Sequence, residues 1–161
     1  MAFKPDARWT VALDWGRILY SKVASVGNPS LPVAPLGADN GPGFGWKDID
    51  VLKLGVAWQM NDALTLRAGY NRGENPIGSS DVTFNILAPG VMKDHFTIGF
   101  TYAGCKNCEI SGMLMIAPRQ TVSGASLFNG LPISPGFQGT SGNETIGMKQ
   151  KSFGIAWGYK F

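Results

Sequence analysis

The residues of this chain best equipped for chemistry are two cysteines, a lone histidine and three charges in one alternating phase. Cys105-Lys106-Asn107-Cys108 has the C-x-x-C spacing of half a zinc site or of a redox pair. A zinc site needs a second pair or a histidine partner, and a redox motif needs a helix start in a βαβ context. Neither accompanies it. The pair falls in a short turn between alternating segments, where facing residues approach to disulfide distance. A structural disulfide or free thiols are therefore expected. His95 has no serine, cysteine or carboxylate at a catalytic spacing and reads as a polar residue of an interior face. No acid–base pair, nucleophile triad or metal set can be assembled, so neither an enzyme nor a cofactor is expected. Gly41-Pro42-Gly43-Phe44-Gly45 resembles a phosphate loop, but it lacks the G-x-G-x-x-G spacing and leads into a strand, so it reads as a loop turn. Asp14, Lys53 and Arg67 are expected to pair with one another across an interior, or to offer a cation to an anionic head group.

The elements that must hold these residues are written with period two. Trp9, Val11, Leu13 and Trp15 alternate with Thr10, Ala12, Asp14 and Gly16. Leu52, Leu54, Val56, Trp58 and Met60 alternate with Lys53, Gly55, Ala57 and Gln59. Leu64, Leu66, Ala68 and Tyr70 form the apolar phase of a third segment, and Phe96, Ile98, Phe100 and Tyr102 that of a fourth. Ile110, Gly112, Leu114 and Ile116 mark a weaker fifth. Phe153, Ile155, Trp157, Tyr159 and Phe161 mark the sixth. None of these apolar positions is charged. The opposite phase is glycine, threonine, serine and alanine, with few charges.

A soluble β-sandwich binding module also alternates, but it carries charge on its outer faces. Here charged residues make up only 16% of 161 residues and 22 are glycine, against about 25% charged and 7% glycine in an ordinary soluble domain. A lipid-facing apolar band over a small, polar interior fits better. Each segment has the roughly 9 to 11 residues that a tilted membrane strand requires. No apolar run is long enough for a membrane helix. The net charge of +3 is scattered, giving no support for nucleic-acid binding.

The aromatic residues predict two girdles. Trp9, Trp58, Tyr102, Tyr159 and Phe161 would sit at one rim, and Trp15, Tyr70, Phe96 and Phe153 at or near the other. The connections predict two ends. Asn61-Asp62-Ala63 and the stretch 103–108 are short, whereas 20–50, 72–94 and 118–150 are long loops. An antiparallel transmembrane β-barrel of the outer-membrane type, with about six strands in this chain, has this pattern, its short turns periplasmic. Two of the long loops are apolar, around Leu31 and Val33 and around Phe84, Ile86 and Leu87. Such loops mark a binding surface, or else pack on one another. Met113 and Met115 point inward and would give an adaptable apolar lining.

Several segments together resemble a known family. Gly41-Pro42-Gly43-Phe44-Gly45-Trp46-Lys47-Asp48, Leu66-Arg67-Ala68-Gly69-Tyr70, Phe84-Asn85-Ile86-Leu87-Ala88-Pro89 and the aromatic C-terminus are similar to the C-terminal part of FadL-type outer-membrane transporters. The resemblance implies passive transport of long-chain fatty acids or aromatic hydrocarbons across the Gram-negative outer membrane. It implies a fourteen-stranded barrel with an N-terminal hatch inside. Residues 1–161 would then be the C-terminal portion of one barrel domain, its hatch and earlier strands lying upstream. Ala2-Phe3-Lys4 reads as the end of a preceding strand and Pro5-Asp6-Ala7 as its turn. The expected ligand-binding residues are Leu31, Val33, Phe84, Ile86, Leu87, Met113 and Met115. Lys47 or Lys53 would meet the carboxylate of a fatty acid. The expected partners are a hydrophobic small molecule, outer-membrane lipid and the rest of the same barrel. A structural or adhesin-like barrel without a substrate is the rival reading.

Overall fold

The computed structural model describes residues 1–31, 35, 37–129, 132–134, 137–138 and 141–159. Its framework is one antiparallel sheet in which sequence neighbours pair: β1 (Ala2–Phe3), β2 (Trp9–Ile18), β3 (Ile49–Gln59), β4 (Leu64–Gly73), β5 (Asp94–Cys105), β6 (Cys108–Ala125) and β9 (Asn143–Tyr159). Two short strands, β7 (Pro132–Ser134) and β8 (Phe137–Gln138), pair only with each other. The sheet is open, with β1 and β9 at its edges. Helical structure is confined to single turns in the connections.

The register puts every apolar phase on one face. Leu13 pairs with Leu54, Leu54 with Tyr70, Tyr70 with Phe96 and Phe96 with Ile116. Val11, Val56, Ala68, Ile98, Leu114 and Phe153 form the next row, strand to strand. A slip of one residue anywhere would have mixed the two faces. Among the described residues no second sheet covers this apolar face: Phe153 is 85% exposed and Ile155 81%. A β-sandwich would have buried these residues against a facing sheet.

The opposite face follows the other phase. Ala12, Gly55, Gly69, Thr97, Met115 and Ser152 line one row, and Asp14, Lys53, Asn71 and His95 the next. The apolar band has polar limits. Beyond Tyr70 and Phe96 the outer face reaches Arg72 and Asp94, with the Tyr70 hydroxyl donating to Asp94 Oδ1 at 2.6 Å. Beyond Phe153 it reaches Lys151. At the opposite end Trp9 and Trp58 stack, their ring centroids 5.4 Å apart, near the short turns.

Those turns are fixed by side-chain carboxylate and amide groups, which stand in for backbone acceptors. Asp6 Oδ1 accepts the N–H groups of Arg8 and Trp9, and Asn61 Oδ1 those of Ala63 and Leu64. The segment 2–4 thus enters the sheet as the strand that the sequence suggests, Phe3 opposite Val11.

One expectation is corrected. The stretch 118–150 is not simply a long loop. β6 has 18 residues and β9 has 17, well beyond the 10 to 12 of β2 to β5, and they remain paired from Gln120–Met148 to Ala125–Asn143. Pro118, at the start of the stretch, cannot donate to a ladder. The register shift between Ala117 and Gln120 is a bulge that takes Pro118 out of pairing and lets the arm continue.

The buried apolar cluster lies at this arm, not in the middle of the sheet. Val82 and Val91 are fully buried, with Ile77, Ile146 and the partly buried Trp46 and Val122. The connection 74–93 therefore packs across the projecting β6–β9 arm and forms a cap over the long-loop end of the sheet.

Candidate functional site

The cap is held by a polar knot between the first two long connections. Asn85 is fully buried within an apolar run. Its Oδ1 accepts the Trp46 indole N–H at 2.6 Å, and its Nδ2 donates to the carbonyls of Phe44 (2.7 Å) and Asp81 (2.8 Å). Asp81 Oδ1 accepts both the N–H and the hydroxyl of buried Ser30, and its Oδ2 accepts the Ser80 hydroxyl. A side chain can be buried at such a place only when its polar atoms are met in this way.

The glycine-rich segment 41–45 is explained by the same knot. Gly45 has φ +66°, and a Cβ there would strike the Asp81 carboxylate. At Gly43 a Cβ would come within 2.7 Å of the carbonyl oxygens of Ala24 and Asn28. The glycines permit close backbone approach to neighbouring chain, so the segment is a packed turn and not a phosphate cradle.

The arm is tied on as well. Leu127 N–H donates to Thr83 Oγ1 at 2.9 Å, and the Ser126 hydroxyl donates to Glu144 at 2.6 Å. Hydrogen bonds from the Ser126 hydroxyl first, and then from Thr83, hold the Glu144 carboxyl below the usual carboxylate range. Asp48 is lowered too, by the backbone N–H and then the hydroxyl of Ser21.

The structure distributes the sequence-predicted site residues over two places. Leu31, Lys47, Phe84, Ile86 and Leu87 belong to the cap. Phe84 packs against Phe44 with ring centroids 5.4 Å apart and is half-buried. Ile86 and Leu87 point out, 56% and 78% exposed, and Leu31 is half exposed beside the anchored Ser30. The apolar loop run is thus split. Val82 and Val91 pack inward while Ile86 and Leu87 stay on the surface. The Lys47 ammonium lies beside Gly78. Val33 lies outside the described residues.

Lys53, Met113 and Met115 belong instead to the small-residue face of the sheet. Lys53 Nζ sits 3.4 Å from Asp14 Oδ2, both side chains largely exposed. Arg67, also a cation of that face, donates to the Thr101 hydroxyl at 2.7 Å, which in turn bonds Ser111 at 2.8 Å. Arg67, Met113, Thr97 and a patch of glycines line a hollow of about 700 Å³. The three charges therefore do not form one network: Asp14 neutralises Lys53, and Arg67 is held by hydroxyls.

Cys105 and Cys108 pair directly across the turn and are disulfide-bonded, with Cα atoms 5.2 Å apart. The described residues contain no group of three or more His, Cys, Asp or Glu side chains that could hold a metal.

A second, smaller cavity of about 220 Å³ lies where the cap meets the small-residue face. Asn71 and His95 form part of its floor, with Asn71 Nδ2 3.4 Å from His95 Nδ1. Tyr20 and Trp46 stand edge to face over it, their ring centroids 4.9 Å apart. The alternation puts both His95 and Asn71 on the inner face, but it does not bring Tyr20 and Trp46 to them. The register of Asn71 against His95 only appears once β4 and β5 are paired, and Trp46 reaches the cavity through contacts distant in sequence.

No family model matches the chain, and no curated protein matches it in sequence. Among solved structures it is similar to a TodX monoaromatic hydrocarbon channel in its deltaS2 mutant form, with a TM-score of 0.60 and 19% identity. The match covers 99% of this chain and 34% of that one, so the chain spans about a third of the length of the channel it resembles. The FadL-type resemblance read from the sequence thus extends to the fold: an all-β, antiparallel wall of a barrel whose sheet is not closed here.

Proposed function

We propose that this chain forms part of the wall and the outer cap of an outer-membrane β-barrel that admits hydrophobic small molecules by passive diffusion. One observation carries the reading. Six strands place their apolar residues in register on a single uncovered face, with glycine, hydroxyl and a few polar side chains behind them. Water is a poor solvent for such a face and lipid a good one. The printed description of the fold neighbour, a hydrocarbon channel, supports the same reading. The open edges at β1 and β9 would be closed by the remaining strands of the same barrel, since unpaired backbone groups are costly in lipid.

Capture begins at the exposed apolar groups of the cap, Leu31, Ile86 and Leu87, with Phe84 behind them. Met113 and Met115 line the inner route. A fatty-acid carboxylate would meet Lys47 at the cap or Lys53 inside. Aromatic hydrocarbons need no cation. No step of this passage makes or breaks a bond, so the protein acts as a transporter and not as an enzyme, and needs no cofactor.

The test is uptake by the intact protein reconstituted in lipid vesicles. With Phe84→Ala and Ile86→Ala combined, the rate for a hydrophobic solute at low concentration should fall about 30-fold, the loss of two apolar contacts of roughly 1 kcal/mol each. An unchanged rate would remove the cap from the pathway. Wild-type vesicles that take up no hydrophobic solute at all would favour the structural or adhesin-like barrel.

A further inference from the structure

The polar limit of the outer face is not uniform along the sheet. On β2 to β5 its cations stand opposite carboxylates: Arg17 pairs in register with Asp50, and Arg72 with Asp94. On β6 and β9 they do not. Lys149 and Lys151 continue the outward phase of Phe153, Ile155 and Trp157, and Lys151 stands opposite Ile116. Residues of one phase are spaced about 7 Å along a strand, so the two lysines form one edge. The bulge between Ala117 and Gln120 adds a third cation. A bulge re-aims the side chain it frees from pairing, and Arg119 Nε lies 3.7 Å from where a Cβ of Gly147 would stand, in the same outward phase as the lysines. The cap lies behind them, for Ile146, of the opposite phase, is buried in its apolar cluster. All three cations are exposed, and among the described residues the single ion pair is Lys53–Asp14. Just inside this cluster a glycine interrupts the apolar phase of β6: Ile98, Phe100, Leu114, Phe153 and Ile155 surround Gly112 in an apolar hollow of about 580 Å³.

We propose that Arg119, Lys149 and Lys151 form a docking site for a membrane lipid whose headgroup carries phosphate monoesters, of the lipid A type, in the leaflet on the long-loop side. Its phosphates meet the three cations, and an acyl chain runs down into the hollow at Gly112. A phosphate monoester carries close to two negative charges at neutral pH, so two of them match three cations that a single diester headgroup would leave mostly unmet. Guanidinium and ammonium groups both bind phosphate, and at the edge of an apolar band they reach the headgroup layer while their stems stay against lipid chains. The hollow joins the cluster through Lys151, Phe153 and Leu114, and it selects a lipid over a free phosphate ion. The site lies outside the solute route, and it rests on the reading of the outer face as the one that meets lipid.

The experiment is native mass spectrometry of the intact, detergent-solubilised protein with diphosphoryl lipid A and its fully dephosphorylated form, at equal concentrations. Each cation beside an anionic headgroup contributes about fivefold, so the phosphorylated lipid should be retained roughly 100-fold better. Combining Arg119→Gln, Lys149→Gln and Lys151→Gln should abolish that preference. Combining Arg17→Gln and Arg72→Gln, at the cations that stand opposite carboxylates, should leave it intact. Equal retention of the two lipids by the wild type would overturn the proposal, whether or not the variants fold. A preference that survives the triple substitution, or one lost equally in the Arg17 and Arg72 variant, would overturn it as well. So would displacement of the lipid by millimolar inorganic phosphate at constant ionic strength, which would mark a site for the free ion. The two readings fail separately. A protein that admits hydrophobic solutes but retains both lipids equally loses this site alone, whereas one that keeps the preference and admits no solute loses the transport reading alone.

Discussion

Replacing Asn85 with alanine will release the cap while leaving the sheet intact. The substitution deletes three short hydrogen bonds and strands the Trp46 indole N–H and the Phe44 carbonyl in a place closed to water. A buried group left unmet costs about 1–3 kcal/mol, so a local loss of about 3 kcal/mol is expected. Measured by hydrogen exchange on the intact protein, the amides of Ala88 and Leu127, both bonded within the cap, should exchange about 100-fold faster. Amides in the ladder between β4 and β5 should not change. Unaltered protection at Ala88 would mean that the knot does not hold the cap.

Placing a charge on the outer face will have an effect of similar size at a different level. Ile98 is 61% exposed in the middle of the apolar rows, between Ala68 and Leu114. In water, Ile98→Arg would be nearly neutral. At the midplane of a membrane barrel an arginine costs about 2–4 kcal/mol. Met113→Arg, at a neighbouring depth but on the small-residue face, should cost less than about 1 kcal/mol. Denaturant titration of the intact protein folded into lipid vesicles checks both. Equal costs at the two positions would mean that neither face meets lipid.

Much of the sheet was legible in the sequence because a membrane strand writes its environment with period two. Trp9 to Trp15 and Phe96 to Tyr102 carry that code without interruption, and the structure places them on one face. Residues 118–150 were not legible. The signal there is a proline, and a bulge neutralises its usual meaning. The cap was only half legible. Its apolar residues were visible, but not that Val82 and Val91 turn inward while Ile86 and Leu87 turn out. That division depends on Asn85 and Asp81 finding Trp46 and Ser30, partners 39 and 51 residues away. A polar residue in an apolar run announces that it has partners, not which ones they are. Pairing of Asp14 with Lys53 was expected across an interior, whereas the structure makes it between neighbouring strands, and the retention of Arg67 by Thr101 depended on a register that alternation alone does not give.

The central claim is that the even-numbered residues of β5 face lipid and the odd-numbered ones do not. Spin labels placed singly from position 95 to 102 in the intact protein, reconstituted in a bilayer, test it most directly. Cys105 and Cys108 are bonded to each other and leave the introduced thiols as the labelling sites. The account predicts high accessibility to oxygen, which partitions into lipid, at 96, 98, 100 and 102. It predicts high accessibility to a water-soluble nickel chelate at 95, 97, 99 and 101. The opposite phase, or no alternation at all, would contradict it.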